Sequence, residues 1–178
     1  MVAEIIKLER KVRWTIRKFA SPDEEEVRRS LRAIDAGKTP EILPFEISEF
    51  EGNALLNEGI GVLQTLLIGT AGTAFSTANA YLGVGDDDTA QTDPSVTGLL
   101  AATNKAYKAM ESAYPSITDQ TTTWRAIFGT TEGNFDWNEF TVANGSSNAA
   151  VNLNRKVSVE GTKVEGQTWT LDLAITWS

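Results

Sequence analysis

Three adjacent aspartates, Asp86, Asp87 and Asp88, follow Gly85 and place hard oxygen donors side by side. Closely spaced carboxylates suit Ca²⁺, yet the run lacks the alternation of ligand and spacer that a dedicated calcium loop uses. A solvated loop tip is the plainer reading, so the three stand as weak metal candidates. Glu132, Asp136 and Glu139 are the best material for general acid and base work. Asp136 and Glu139 are three apart on an expected strand and so face opposite sides, whereas an acid and a base must converge on one bond. Gly69, Gly72, Gly83 and Gly85 form neither a phosphate loop nor a dinucleotide fingerprint, because no Gly-Lys-Ser/Thr follows and the spacing is wrong. Turns explain them.

What the chain lacks narrows the chemistry further. Its 178 residues include no Cys and no His. That closes disulfide frameworks, thiolate nucleophiles, Cys-based zinc sites, the Ser-His-Asp triad and the usual transition-metal ligands. No enzyme signature remains, so the chain reads as non-enzymatic and without a cofactor.

The net charge of −8 argues against nucleic acid as a partner. The basic residues Lys7, Arg10, Lys11, Arg13, Arg17 and Lys18, with Trp14 among them, read as the polar side of an amphipathic arm. Trp124, Trp137, Trp169 and Trp177 fall on expected strands, where large aromatics fill cores or interfaces. A glycan- or receptor-binding module built on exposed tryptophans is the alternative from a different class. Asn144-Gly145-Ser146 reads as a hairpin turn rather than a glycan acceptor. The apolar stretch 54–68 is too short and too polar to cross a bilayer, and residues 1–20 lack an apolar signal core. Synthesis in a cytoplasm, with no membrane partner, is the expectation.

These residues are positioned by two segments of different composition. Residues 1–51 hold 10 Lys+Arg, 11 Asp+Glu and one glycine, whereas residues 52–178 hold 6, 13 and 13. The division expected is a helical N-terminal arm and linker, 1–51, and a β-rich body, 52–178, with one buried helix near its start.

In the arm, Ile5, Leu8, Val12, Ile16 and Phe19 recur at helical steps. Val12, Trp14 and Ile16 also alternate with Arg13, Thr15 and Arg17 as a strand would, and helix is the favoured reading. Ser21, Pro22 and Glu24 mark the start of a second helix, and Gly37 its end. Its apolar stripe is only Val27, Leu31 and Ile34, too thin to stabilise an isolated helix. The arm must therefore pack on its own body or on a neighbour, and Lys7, Lys11, Trp14, Lys18, Val27, Leu31 and Ile34 are the partner-binding candidates.

Residues 38–51, with Pro40 and Pro44, read as an extended linker. Leu56, Ile60, Leu63 and Leu67 predict a helix over 53–68. Strands are expected over 78–84, 122–128, 135–143, 151–157 and 168–177, while 99–110 is ambiguous between helix and strand. The last strand alternates Trp169, Leu171, Leu173, Ile175 and Trp177 on one face and is expected at a sheet edge. Short strands joined by turn residues argue for a mainly β fold, an antiparallel β-sandwich-like body, α+β overall once the arm is counted.

Several segments carry a resemblance. They are 53–60 (NALLNEGI), 78–86 (ANAYLGVGD), 101–110 (AATNKAYKAM), 124–129 (WRAIFG), 134–140 (NFDWNEF), 153–157 (LNRKV), 161–163 (GTK) and 168–171 (TWTL). As an ordered set across residues 53–178 they resemble a family of small tailed-bacteriophage virion structural proteins, of capsid decoration, head-fibre or tail-attachment type. Residues 134–142 are also similar to a strand motif of tail-fibre attachment domains. The resemblance implies a virion component made in the bacterial host cytoplasm, and it brings no catalytic residues. The expected role is a capsid decoration or cement subunit bound to the major capsid protein. The alternative is a tail, baseplate or fibre-attachment adaptor bound to tail or fibre proteins. A homo-oligomer is expected, and a trimer would suit either position.

Overall fold

A computed structural model describes residues 9–178. Ten strands and two helices follow one another as β1 (Arg10–Phe19), α1 (Glu24–Asp35), β2 (Glu46–Glu51), β3 (Ala54–Leu55), α2 (Asn57–Leu67), β4 (Tyr81–Gly85), β5 (Lys105–Ala109), β6 (Ser116–Thr118), β7 (Thr121–Phe128), β8 (Glu139–Ala143), β9 (Asn154–Val157) and β10 (Thr168–Trp177). They form two five-stranded antiparallel sheets, ordered β2-β1-β10-β7-β6 and β3-β9-β8-β4-β5. The fold is mainly β and sandwich-like, as the turn spacing predicts.

The favoured helical reading of residues 5–19 is corrected over its described part. Residues 10–19 are a strand, paired along its whole length with β10 from Arg10↔Trp177 to Phe19↔Thr168. Ile5 and Leu8 lie outside the described residues, as does Lys7. Val12, Trp14 and Ile16 point into the main core, while Lys11, Arg13 and Arg17 are on the other face. Both periods fit the local pattern. The choice was made by a partner strand some 150 residues away, whose inward row meets Trp14 and Ile16. Residues 46–51 of the expected linker pair with β1 as a further strand. The division at 51/52 is therefore no boundary, because β1 lies between β2 and β10 inside one sheet. For the same reason β10 is interior to its sheet and not an edge.

The main core lies between the sheets. Trp14, Phe140 and Phe50 pack together, and Trp137 meets Phe128 and Trp169 edge-on at 4.9 and 5.1 Å. The second core is smaller, and α1 builds it. Asp23, rather than Ser21, is the N-cap, accepting from the Glu25 and Glu26 amides. Ser21 accepts from the Asp23 amide and donates to Glu26, so the Ser-and-Glu pairing exists two residues out of register. Gly37 ends the helix at φ +65°, a conformation a side chain would strain. Val27 and Leu31 pack on Phe19 and Ile127, on the outer face of the first sheet. The thin apolar stripe is completed by the chain's own body.

Candidate functional site

The partner-binding set is dispersed by the fold. Trp14 and Val27 are fully buried, Leu31 nearly so, and Ile34 half-buried. Lys18 is also buried. Its ammonium donates to Glu46 Oε1 at 2.6 Å and to the Glu160 carbonyl, and it lies 4.6 Å from the Trp169 ring centroid. That hydrogen bond holds the Glu46 carboxyl below its ordinary range. These residues are corrected from partner contacts to internal ones. Lys11 alone of the described set stays exposed, at the mouth of an open groove of about 800 Å³ shared with Arg10, Arg13, Thr121 and Thr176.

The acidic residues do not converge either. Asp87 accepts from Arg155 at 2.9 Å, Asp86 accepts from Asn104 at 2.7 Å, and Asp88 faces solvent. Among the described residues no group of three or more acidic side chains is placed to hold a metal ion. Glu132 is engaged by Lys108 at 2.6 Å, Asp136 accepts from Thr162, and Glu139 is buried against Arg155. The carboxylates considered for acid and base roles thus face three different partners.

Arg155 is fully buried and hydrogen-bonds to four different residues, and its sequence context gives no hint of this. Besides Glu139 and Asp87 it donates to the Thr89 carbonyl and to Gln91 Oε1, which fastens the irregular segment after β4 to β9. Glu139 also accepts from the amides of Leu100 and Ala101. Nearby, Tyr107 donates to Asn148, and burial, reinforced by Glu139, pushes its phenol up. A network of this kind holds loops in place.

The tryptophans offer no stacking platform. Trp14, Trp124, Trp137 and Trp169 are buried, and Trp177 is half-covered. The glycan alternative loses the feature on which it stood.

Among the described residues, two runs of closely spaced apolar side chains reach solvent, besides the scattered Leu100, Ile117, Val159 and Val164. Leu43, Phe45 and Ile47 are 74, 53 and 55% exposed along the approach to β2 and its first turn of strand. Among the described residues β2 pairs with β1 alone, which makes it an edge strand whose outer backbone groups meet no further strand there. Glu41, Glu46 and Glu49 flank this row. The second surface is the end of α2, where Leu67 and Ile68 are 86 and 74% exposed. Neither was singled out from sequence. Alternate apolar residues across Pro44 were visible there, but their exposure depends on which edge of the sheet they occupy.

No family model, curated protein or solved structure matches the chain. No helix among the described residues is long and apolar enough to cross a membrane.

Proposed function

We propose that this chain is a non-enzymatic structural protein of a tailed-bacteriophage virion, acting as a capsid decoration or cement subunit. The observation that carries an assembly role is the open β2 edge with its exposed row Leu43, Phe45 and Ile47. An edge strand recruits an extended segment through main-chain hydrogen bonds, and alternate side chains then select it. The glutamates around this row, Glu41, Glu46 and Glu49, are paired with Arg29, Lys18 and Arg13, so selection of the segment falls to its apolar side chains. The virion assignment rests on the ordered segments that resemble the phage family. It is supported by a body whose ionisable groups are spent on internal pairs rather than gathered at a site. The acidic surface suits a shell exterior, where like charge keeps particles apart.

The test is fractionation of purified heads and tails followed by detection of the protein in each. Presence on heads, with Phe45→Asp protein folding normally but failing to rebind stripped heads, is the expected result. Presence on tails alone moves the assignment to a tail or fibre-attachment adaptor.

A further inference from the structure

Two lysines are buried among the described residues, Lys18 at 3% and Lys163 at 1% exposure. Lys18 meets a carboxylate, Glu46, at 2.6 Å, and half-buried Lys108 meets Glu132 at the same distance. The Lys163 amine rests instead on two neutral oxygens, the Gly129 carbonyl and Asn134 Oδ1, each at 2.7 Å. A carboxylate would hold it as an ammonium, whereas burial against neutral groups favours the free amine, which is the nucleophile.

The other side of this contact is also held. Gly133 turns the chain at φ +62°, and Asn134 Nδ2 donates to the Thr130 carbonyl at 2.9 Å, which fixes the plane of the amide. The loop carrying Lys163 is tied to the same turn, because Lys163 donates its backbone amide to the Phe135 carbonyl and Trp137 donates its own to the Gly161 carbonyl. Two carboxylates stand around Gly129. Glu132 accepts from its amide at 2.8 Å, and Glu24 packs where a side chain on that glycine would go. Glu132 is also paired with Lys108, and Glu24 with Arg28.

We propose that Lys163 and Asn134 close an isopeptide cross-link between the β7–β8 and β9–β10 loops. Lys163 Nζ attacks Asn134 Cγ, one bond from the oxygen it already contacts, and a Cγ–Nζ bond replaces the Cγ–Nδ2 bond. One amine proton passes to Nδ2 by way of Glu132, and ammonia leaves, so the step balances without an oxidant or a co-reactant. Asn134 is exposed, which lets the ammonia escape to water. Burial pushes the Lys163 amine down to about 8 against the pull of Glu132 and Glu24. Chain freshly prepared at lower pH therefore keeps the amine free, and closure follows at alkaline pH. This inference is independent of the virion reading.

The experiment follows the intact mass of the full chain through days of incubation at pH 7, 8 and 9, in buffer and in urea. A species lighter by the mass of ammonia, about 17 Da, is expected in the folded chain. Its rate should rise about tenfold from pH 7 to 9 and level off, following the neutral amine. Trypsin should then release residues 126–155 joined to 157–178 with Lys163 uncleaved, and this joined peptide should be missing from the urea sample. Asn134→Ala, at an exposed position, should abolish the cross-link, as should Lys163→Arg. Glu132→Gln should slow it about tenfold or more. An unchanged mass in the folded chain at pH 9 would overturn the inference. So would a loss of ammonia that persists in Asn134→Ala, or one that maps to Asn144, which precedes Gly145 and can lose ammonia by closing on its own backbone.

Discussion

Arg155 Nε donates to Glu139 Oε2 at 2.7 Å, and neither side chain has any exposed surface. The pair joins β9 to β8 and, through the other guanidinium nitrogens, holds Asp87, Thr89 and Gln91 in place. Two charges taken out of water are costly, and this pair is tolerated because nearly every donor and lone pair is used.

Removing one member should therefore cost far more than breaking a surface pair. Arg155→Met, which strands the Glu139 carboxylate, should destabilise by about 3–5 kcal/mol. Glu49→Gln, which breaks an ion pair with Arg13 whose side chains are 59 and 47% exposed, should cost less than about 1 kcal/mol. Urea unfolding of both variants checks the contrast. Hydrogen exchange in Arg155→Met should also rise over residues 86–101, and protection unchanged there would contradict the role assigned to this network.

Residues 10–19 behave as core rather than as an arm. A chain starting at residue 20 loses the strand between β2 and β10, so it should lack near-ultraviolet dichroism and dispersed amide resonances. In the full chain, Trp14→Ala should cost about 3–5 kcal/mol. A folded, monomeric 52–178 fragment would restore the arm.

The two glycines inside α2 should respond with opposite signs. Gly61 has open space where a Cβ would stand, so Gly61→Ala should stabilise by about 0.5–1 kcal/mol through helix propensity. At Gly59 the added carbon meets the Leu153 backbone at 2.5 Å, which cannot yield as a side-chain tip would. Gly59→Ala should destabilise despite the same gain in propensity, and thermal melts of the pair measure it.

Lys163 should make stability rise with pH in the alkaline range. Its ammonium is buried, donating to the Gly129 carbonyl and Asn134 Oδ1, and burial pushes it from 10.5 to about 8 against the opposing pull of Glu132 and Glu24. Below pH 8 both states carry the proton and the desolvation penalty is present in full. Between about pH 8 and 10.5 the folded amine releases its proton while the unfolded one keeps it, so the unfolded state binds more protons and stability increases. Tyr107, raised by burial, acts in the opposite direction once the unfolded phenol ionises near pH 10. The stability difference between wild type and Lys163→Met should therefore grow in favour of wild type from pH 8 to 10. A flat difference would remove the linkage.

The sequence by itself determined the mainly β class, the strand at 168–177 to the residue, the helix after Pro22 with its stop at Gly37, and the end of the helix near Leu67, but not that helix's start, which is Asn57 after β3, nor its expected burial, since Gly59 is its one buried residue. These are local matters, since alternation, capping chemistry and a left-handed glycine act over a few residues. Only the tertiary structure decided that residues 10–19 are a strand, because their pattern satisfies both periods and pairing with β10 chose between them. It also decided that Trp14, Lys18, Val27 and Leu31 face inward and that Arg155 meets Glu139. Most of all, it decided that Leu43, Phe45, Ile47, Leu67 and Ile68 are left in water. Burial and ion pairing depend on which distant residue arrives at a given point in space, and no local rule carries that information.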